Sequence, residues 1–193
     1  MKDSCGVRIT SYVVSSVIAQ GCLAKLRHSP YIFLQFFFTL ICASDVFGLW
    51  NELYPGHVVE VLDKGLCMYL DQLAISSVVI TIGFKRGYIE HAAIILLFFT
   101  GLPVLTKLFG LEHEILSRTL VILNCLHLFG LGVLTRNYAA MAASSSYALI
   151  YFGIKEETDD EPCTIMVLDY RSQRNIGLCF YQLVALLTAT ADD

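Results

Sequence analysis

The segment from Pro30 to Trp50, PYIFLQFFFTLICASDVFGLW, is apolar over a length that soluble folds seldom use. About 20 such residues in a helix span the ~30 Å hydrocarbon core of a bilayer. In that core every backbone N–H and C=O must be satisfied internally, which leaves helices and closed barrels. Stretches of this kind recur along the 193 residues. They predict helices near 9–26, 30–50, 65–84, 90–109, 115–135, 138–154 and 176–190. Ser, Thr and Gln interrupt the first, Pro103 predicts a kink in the fourth, and the last is short. Composition agrees, with 56% of residues apolar and 16% charged, against about 25% charged in soluble domains. The expected fold is all-α, a single membrane domain over 1–193 built as a bundle of seven transmembrane helices. No small-residue cleavage pattern sets the first stretch apart, so it reads as helix 1.

The loops give an orientation. Lys25, Arg27 and His28 follow helix 1, Lys85 and Arg86 follow helix 3, and Arg136 follows helix 5. Alternate loops are acidic: Glu52, Glu60 and Asp63 after helix 2, Glu112 and Glu114 after helix 4, and KEETDDE at 155–161 after helix 6. Basic residues mark cytoplasmic loops. The N-terminus is therefore expected outside and the C-terminus in the cytoplasm. The 155–175 loop, the one sizeable soluble segment, reads as a solvated acidic surface.

Several function classes find no support. The net charge is −4 with no basic stripe, so nucleic acid is not an expected partner. Walker, HExxH and GxSxG patterns are missing. Four of the five histidines, His28, His57, His91 and His113, fall in loops or at helix ends, so a three-histidine intramembrane metal site is not expected. No cofactor is implied. The seven cysteines have no metal-type spacing, and those in apolar runs read as small hydrophobes. Cys5 and Cys163 both fall on the expected outer side, where a disulfide between them is permitted.

Ionisable groups inside a span are costly and mark candidate sites. Asp45 in helix 2 and Asp71 in helix 3 each lie about five residues from the outer end. At ~1.5 Å per residue, that places both roughly 8 Å below the outer boundary. Tyr181 and Gln182 in helix 7 fall in the same layer. One reading is a ligand, ion or catalytic pocket opening outward, whose two carboxylates share a proton or hold a cation. The other is that Asp45 reaches the outer interface while Asp71 hydrogen-bonds neighbouring helices. Asn124 and His127 form a second polar pair, one turn apart in helix 5. Ser144, Ser145 and Ser146, with nearby alanines, make a small-residue surface suited to close helix packing. Lys107 is placed to snorkel to the headgroups.

The order of these elements resembles the CREST superfamily of seven-helix membrane hydrolases and receptors. That group includes alkaline ceramidases, progestin and adipoQ receptors, and a branch with myomaker and the GPI-processing phospholipase. CMYLDQLAISSVVITIGFKRG at 67–87 resembles the aspartate-bearing third helix, and FFFTLICASDVFGLW the second. Ser145 to Thr158, followed by NIGLCFYQLVALLTA, resembles the last two helices. The likeness covers residues 30–190 and is greatest to the myomaker branch. Family enzymes carry a serine and a histidine in helix 2 and a zinc-binding histidine pair in helix 7. Here Ser44 stands for the serine, but Phe47 and Gly48 lie where that histidine is expected, and Gly177 and Tyr181 where the pair is. Asp71 carries over.

The resemblance thus implies a member without the metal. The leading expectation is a non-enzymatic protein acting in membrane remodelling or cell–cell fusion, or as a lipid- or partner-binding scaffold. Its expected partners are membrane lipids, other membrane proteins or further copies of itself, in a plasma or secretory-pathway membrane. An intramembrane lipid hydrolase using Ser44, Asp71 and Tyr181 is the alternative. A channel or transporter with Asp45, Asp71 and His127 along a polar path is a third reading.

Overall fold

The structure, a computed structural model, describes residues 3–88, 90, 101, 114–154 and 170–190. Within these, the side chains at 3–5, 64, 68, 69, 71, 72, 114, 115, 117 and 170 are not described. The expected fourth helix with Pro103 and Lys107, the acidic run at 155–161 and Cys163 lie outside the described residues. So do the side chains of Asp71 and Cys5.

All described elements are helical. They are α1 (Asp3–Leu26), α2 (Ile32–Leu53), α3 (His57–Lys85), α4 (Glu114–Thr135), α5 (Tyr138–Ala148) and α6 (Tyr170–Thr190). A π-helical turn, Leu149–Gly153, continues α5. Three of these helices contain stretches long and apolar enough to cross a membrane: Gly6–Leu26, Ile32–Leu53 and Arg118–Thr135. A shorter apolar stretch covers Leu73–Lys85. Large apolar residues lie on the outside as well as in the core, among them Val17, Phe36, Trp50, Leu126, Leu134, Phe180 and Leu187. Helices apolar all round are those of a core or a bilayer.

The turns follow from local chemistry. After α1 the chain reverses through Ser29–Pro30, and Gln35 of α2 donates to the Leu26 and Ser29 carbonyls at 2.7 and 3.0 Å. The Leu26 carbonyl also accepts from the Ser29 backbone N–H at 2.9 Å, so the amide reinforces a turn that the backbone already closes. Between α4 and α5, Arg136 takes a positive φ of 54°, and Asn137 then caps α5 by accepting from the Ala140 N–H at 3.0 Å. Its amide nitrogen also donates to the Thr188 carbonyl at 3.2 Å, joining this turn to the end of α6. Lys85 closes the end of α3 against the same terminus, donating to the Ala189 carbonyl at 2.9 Å.

α1 packs on α2 and α6, α2 on α3, α3 on α4 and α6, and α5 on α4 and α6. The apolar core runs through Leu34, Phe37, Phe38, Ile41, Ile75, Val78, Leu128, Tyr147 and Tyr181, all almost fully buried. Phe37 meets the Tyr181 ring edge-on at 6.0 Å and Tyr147 meets it at 4.9 Å, the offset geometries that aromatic pairs prefer.

Three helices start earlier than their apolar stretches. α1 begins at Asp3, α3 at His57 and α6 at Tyr170, against the expected 9, 65 and 176. The added turns carry Asp63, Arg171 and Arg174, whose charges read as loop in isolation. In the fold these groups find partners on neighbouring helices, and the backbone stays helical around them.

Candidate functional site

Three helices carry a polar stripe at helical spacing that turns inward at the end where α1 begins. On α1 the stripe is Arg8, Ser11, Tyr12 and Ser15. On α2 it is Glu52, Asp45 and Ser44. On α6 it is Arg171, Arg174, Asn175 and Gln182. Asp63 and Cys67 add one turn of α3. Further along the same faces the residues become apolar, through Ala19 and Cys22 on α1, Ile41 on α2 and Ala185 on α6. On these faces the charged residues gather at the end where α1 begins, while buried hydroxyl and amide groups such as Thr81, Asn137 and Thr188 lie towards the other end.

At the helix ends the charges interlock. Arg8 Nη1 lies 2.9 Å from Glu52 Oε1. Arg171 Nη1 reaches that same oxygen at 3.8 Å and Asp63 Oδ2 at 3.2 Å. The Asp63 side chain is 2% exposed and that of Glu52 11%, so both carboxylates are withdrawn from solvent. Four helix ends are thus held by one ionic chain.

Beneath this clasp lies a second polar layer. Arg174 Nη2 donates to the Cys67 carbonyl at 3.0 Å, and Asn175 donates to Ser11 Oγ at 3.1 Å. Cys67 Sγ stands 3.7 Å from Ser44 Oγ and 3.8 Å from Asp63 Oδ1. Two turns deeper along α6, Gln182 Nε2 donates to Ser15 Oγ at 3.1 Å, and Ser15 in turn faces the Asp45 carboxylate. Asp45 Oδ2 and Gln182 Oε1 are buried and have no hydrogen-bond partner among the described residues. Such atoms are expensive in a low-dielectric interior, which makes this layer the strongest candidate site in the described chain.

Asp45, Ser44 and Gln182 therefore come together, as their depth along the helices suggests. Tyr181 lies beside them in sequence but faces the aromatic core, where its hydroxyl donates to the Ala74 carbonyl at 2.8 Å. Asp71 sits on α3 one turn beyond Cys67, with its side chain outside those described. Asn124 is buried with Oδ1 unpartnered among the described residues, while His127 is half-buried and has an interaction partner. Near them Ser144 Oγ donates to the Cys125 carbonyl at 2.7 Å, a bond between α5 and α4.

No family model, curated protein or solved structure matches this chain. The site therefore stands on its own geometry. Gly48 lies against the Tyr12 ring, so a side chain there would meet it. Gly177 lies against Ile150, with a Cβ falling 2.7 Å from Ile150 Cγ1. Gly48 and Gly177 are thus both closely packed. Among the described residues, no group of three or more His, Cys, Asp or Glu side chains is placed to hold a metal ion.

Residue counting from helix ends found Asp45 and Gln182 but passed over Arg8, Asp63, Arg171, Arg174 and Asn175. Their spacing carried a usable signal. Positions 171, 174, 175, 178 and 182 recur at helical spacing on one broad face, polar at each except Leu178.

Proposed function

We propose that the chain is a non-enzymatic seven-span membrane protein, N-terminus outside and C-terminus in the cytoplasm, serving as a lipid- or partner-binding scaffold. A plasma or secretory-pathway membrane fits the outer-side charge clasp, and the resemblance to the myomaker branch suggests membrane remodelling or cell–cell fusion as its setting. The observation that carries the reading is the state of the candidate catalytic hydroxyls. The Tyr181 hydroxyl donates a hydrogen bond to a backbone carbonyl in α3. Among the described side chains Ser44 Oγ meets Cys67 Sγ at 3.7 Å, where a nucleophile would need a base within about 3 Å. The polar layer instead ties helices to one another and leaves the carbonyl and carboxylate oxygens of Gln182 and Asp45 to accept from a ligand.

The test is metal analysis and lipid release by the purified, detergent-solubilised protein, with Asp71→Ala and Asp71→Asn alongside. The expected result is no stoichiometric zinc and no release of fatty acid or headgroup. About one zinc per chain, lost in Asp71→Ala, or lipid release lost in Asp71→Asn, overturns the reading in favour of an intramembrane hydrolase.

A further inference from the structure

The end of the bundle away from the charge clasp carries basic side chains of a different kind. Here α1, α3 and α4 end, and Lys85 and Asn137 bond the last carbonyls of α6, those of Ala189 and Thr188. Lys85 also stands over the Tyr31 ring at 5.8 Å, which brings the α1–α2 turn to the same end. Lys25, Arg27, Arg86 and Arg136 are exposed on this face, and among the described residues Glu90 alone adds a carboxylate. Lys25, Arg27 and Arg136 have no ion pair among the described residues.

Two helices close at this end by the same backbone pattern. After α3, the Gly87 N–H donates to the Phe84 carbonyl at 3.1 Å and the Tyr88 N–H to the Gly83 carbonyl at 2.8 Å. After α4, the Arg136 N–H donates to the Val133 carbonyl at 3.3 Å and the Asn137 N–H to the Gly132 carbonyl at 2.9 Å. In both, the first residue past the helix is left-handed, with φ 77° at Gly87 and 54° at Arg136. Glycine is the usual occupant of that position, because a β-carbon is strained there. An arginine thus stands where the backbone by itself favours glycine, and it is exposed.

We infer that this face binds the headgroups of anionic phospholipids, with Arg136, Arg27 and Lys25 as its contacts to them. Two observations select a lipid over an acidic protein. The first is layering. Leu134, two residues before Arg136, is 82% exposed, and Tyr138, two residues after it, is 78% exposed. Phe84 and Tyr88 flank Arg86 in the same way, at 43% and 51%. A phospholipid presents this order, charge at one level and acyl chain beside it, and amphipathic rings settle at that boundary. A soluble acidic partner would leave those apolar side chains uncovered. The second is the contrast with the other end, where Arg8 and Arg171 are matched by Glu52 and Asp63 inside the protein. Here the described residues leave the matching charge to come from outside. The cytoplasmic leaflet supplies it, because its anionic lipids attract basic side chains close to the bilayer. The inference rests on the membrane-spanning, N-terminus-outside reading above, and adds to it the lipid class and the face that takes it.

The experiment is electron spin resonance of the full chain reconstituted in phosphatidylcholine vesicles, with a trace of chain-labelled phosphatidylserine or phosphatidylcholine. A motionally restricted fraction of labelled phosphatidylcholine reports helices in contact with lipid. Its absence overturns the membrane reading and the inference with it, whereas its presence without a preference between the two lipids overturns the inference alone. The expected result is a preference for phosphatidylserine of about fivefold, the scale of one basic group near an anionic surface, largely screened at about 1 M salt. Arg136→Gly is expected to weaken that preference while leaving the melting temperature at or above the wild-type value, since glycine suits the left-handed turn. Adding Arg27→Gln brings the two lipids to parity. A lower melting temperature in Arg136→Gly, with the preference intact, assigns the arginine to the α4 dipole and overturns the inference. A preference that emerges only in Asp192→Asn with Asp193→Asn assigns the face to the chain's own last residues. Binding of soluble polyglutamate without any lipid preference assigns it to an acidic protein. Either result likewise overturns the inference.

Discussion

Arg171 Nη1 lies 3.2 Å from Asp63 Oδ2, joining the first turn of α6 to α3 across 108 positions of sequence. Because Arg171 also stands 3.8 Å from Glu52, and Glu52 pairs with Arg8, this one contact links the ends of four helices. It explains why α3 and α6 extend past their apolar stretches. The charged turns are not loops awaiting water but the closing ring above the polar layer that holds Asp45 and Gln182.

Breaking that contact therefore loosens the bundle at one end. Removing one partner of a buried ion pair costs on the order of 3–5 kcal/mol. Arg171 keeps 33% of its side-chain exposure, so screening reduces the expected cost of Asp63→Asn to about 2 kcal/mol. The exchange Asp63→Arg with Arg171→Asp recovers part of that loss. Thermal unfolding in detergent measures both. A single substitution as stable as wild type means the clasp contributes nothing.

The Tyr181 hydroxyl bonds a carbonyl already serving α3, so its loss leaves no orphaned donor. Tyr181→Phe is expected to cost about 1 kcal/mol, the worth of one internal hydrogen bond, and to leave ligand or partner binding unchanged. Binding lost at wild-type stability would put Tyr181 in the site rather than in the aromatic core.

The orientation has its own test. Cysteine-accessibility or glycosylation tags at the N-terminus and near Pro55–Gly56 are expected to be modified from outside. Tags near His28–Ser29 and at the C-terminus are expected to be protected. The opposite pattern would reverse the assignment made from Lys25, Arg27, Lys85 and Arg86, and would move the clasp to the cytoplasmic face.

Periodicity reached much of this architecture. The all-helical class and the apolar spans at Gly6–Leu26, Ile32–Leu53 and Arg118–Thr135 follow from runs of apolar residues long enough to cross a bilayer. The level shared by Asp45 and Gln182 follows from counting residues in from helix ends, because antiparallel neighbours keep depth in register. What counting does not give is rotation. Tyr181 and Gln182 share a depth but differ by a hundred degrees about the axis, and only one of them faces Ser15. Nor does it give pairing between distant segments. Asp63 and Arg171 each look like a loop charge until the other is placed beside it, and no local pattern predicts a partner 108 residues away.

Rotation also decides the last prediction, at Gly48. This residue stands where the family resemblance expects a histidine nearby, and Tyr12 of α1 lies directly over it. A β-carbon there must displace the ring, which is 4% exposed and held between helices. Gly48→Ala is therefore expected to destabilise by about 1–3 kcal/mol, the usual cost of overpacking a dense interior. Tyr12→Leu should relieve most of that penalty in the double variant, although alone it leaves a void. The same crowding means that Gly48→His should bind no zinc, since the imidazole has no room beside the ring. Unfolding of the four variants, with metal content of Gly48→His, checks the argument. Additive losses from Gly48→Ala and Tyr12→Leu would show that the two residues do not meet as the structure places them.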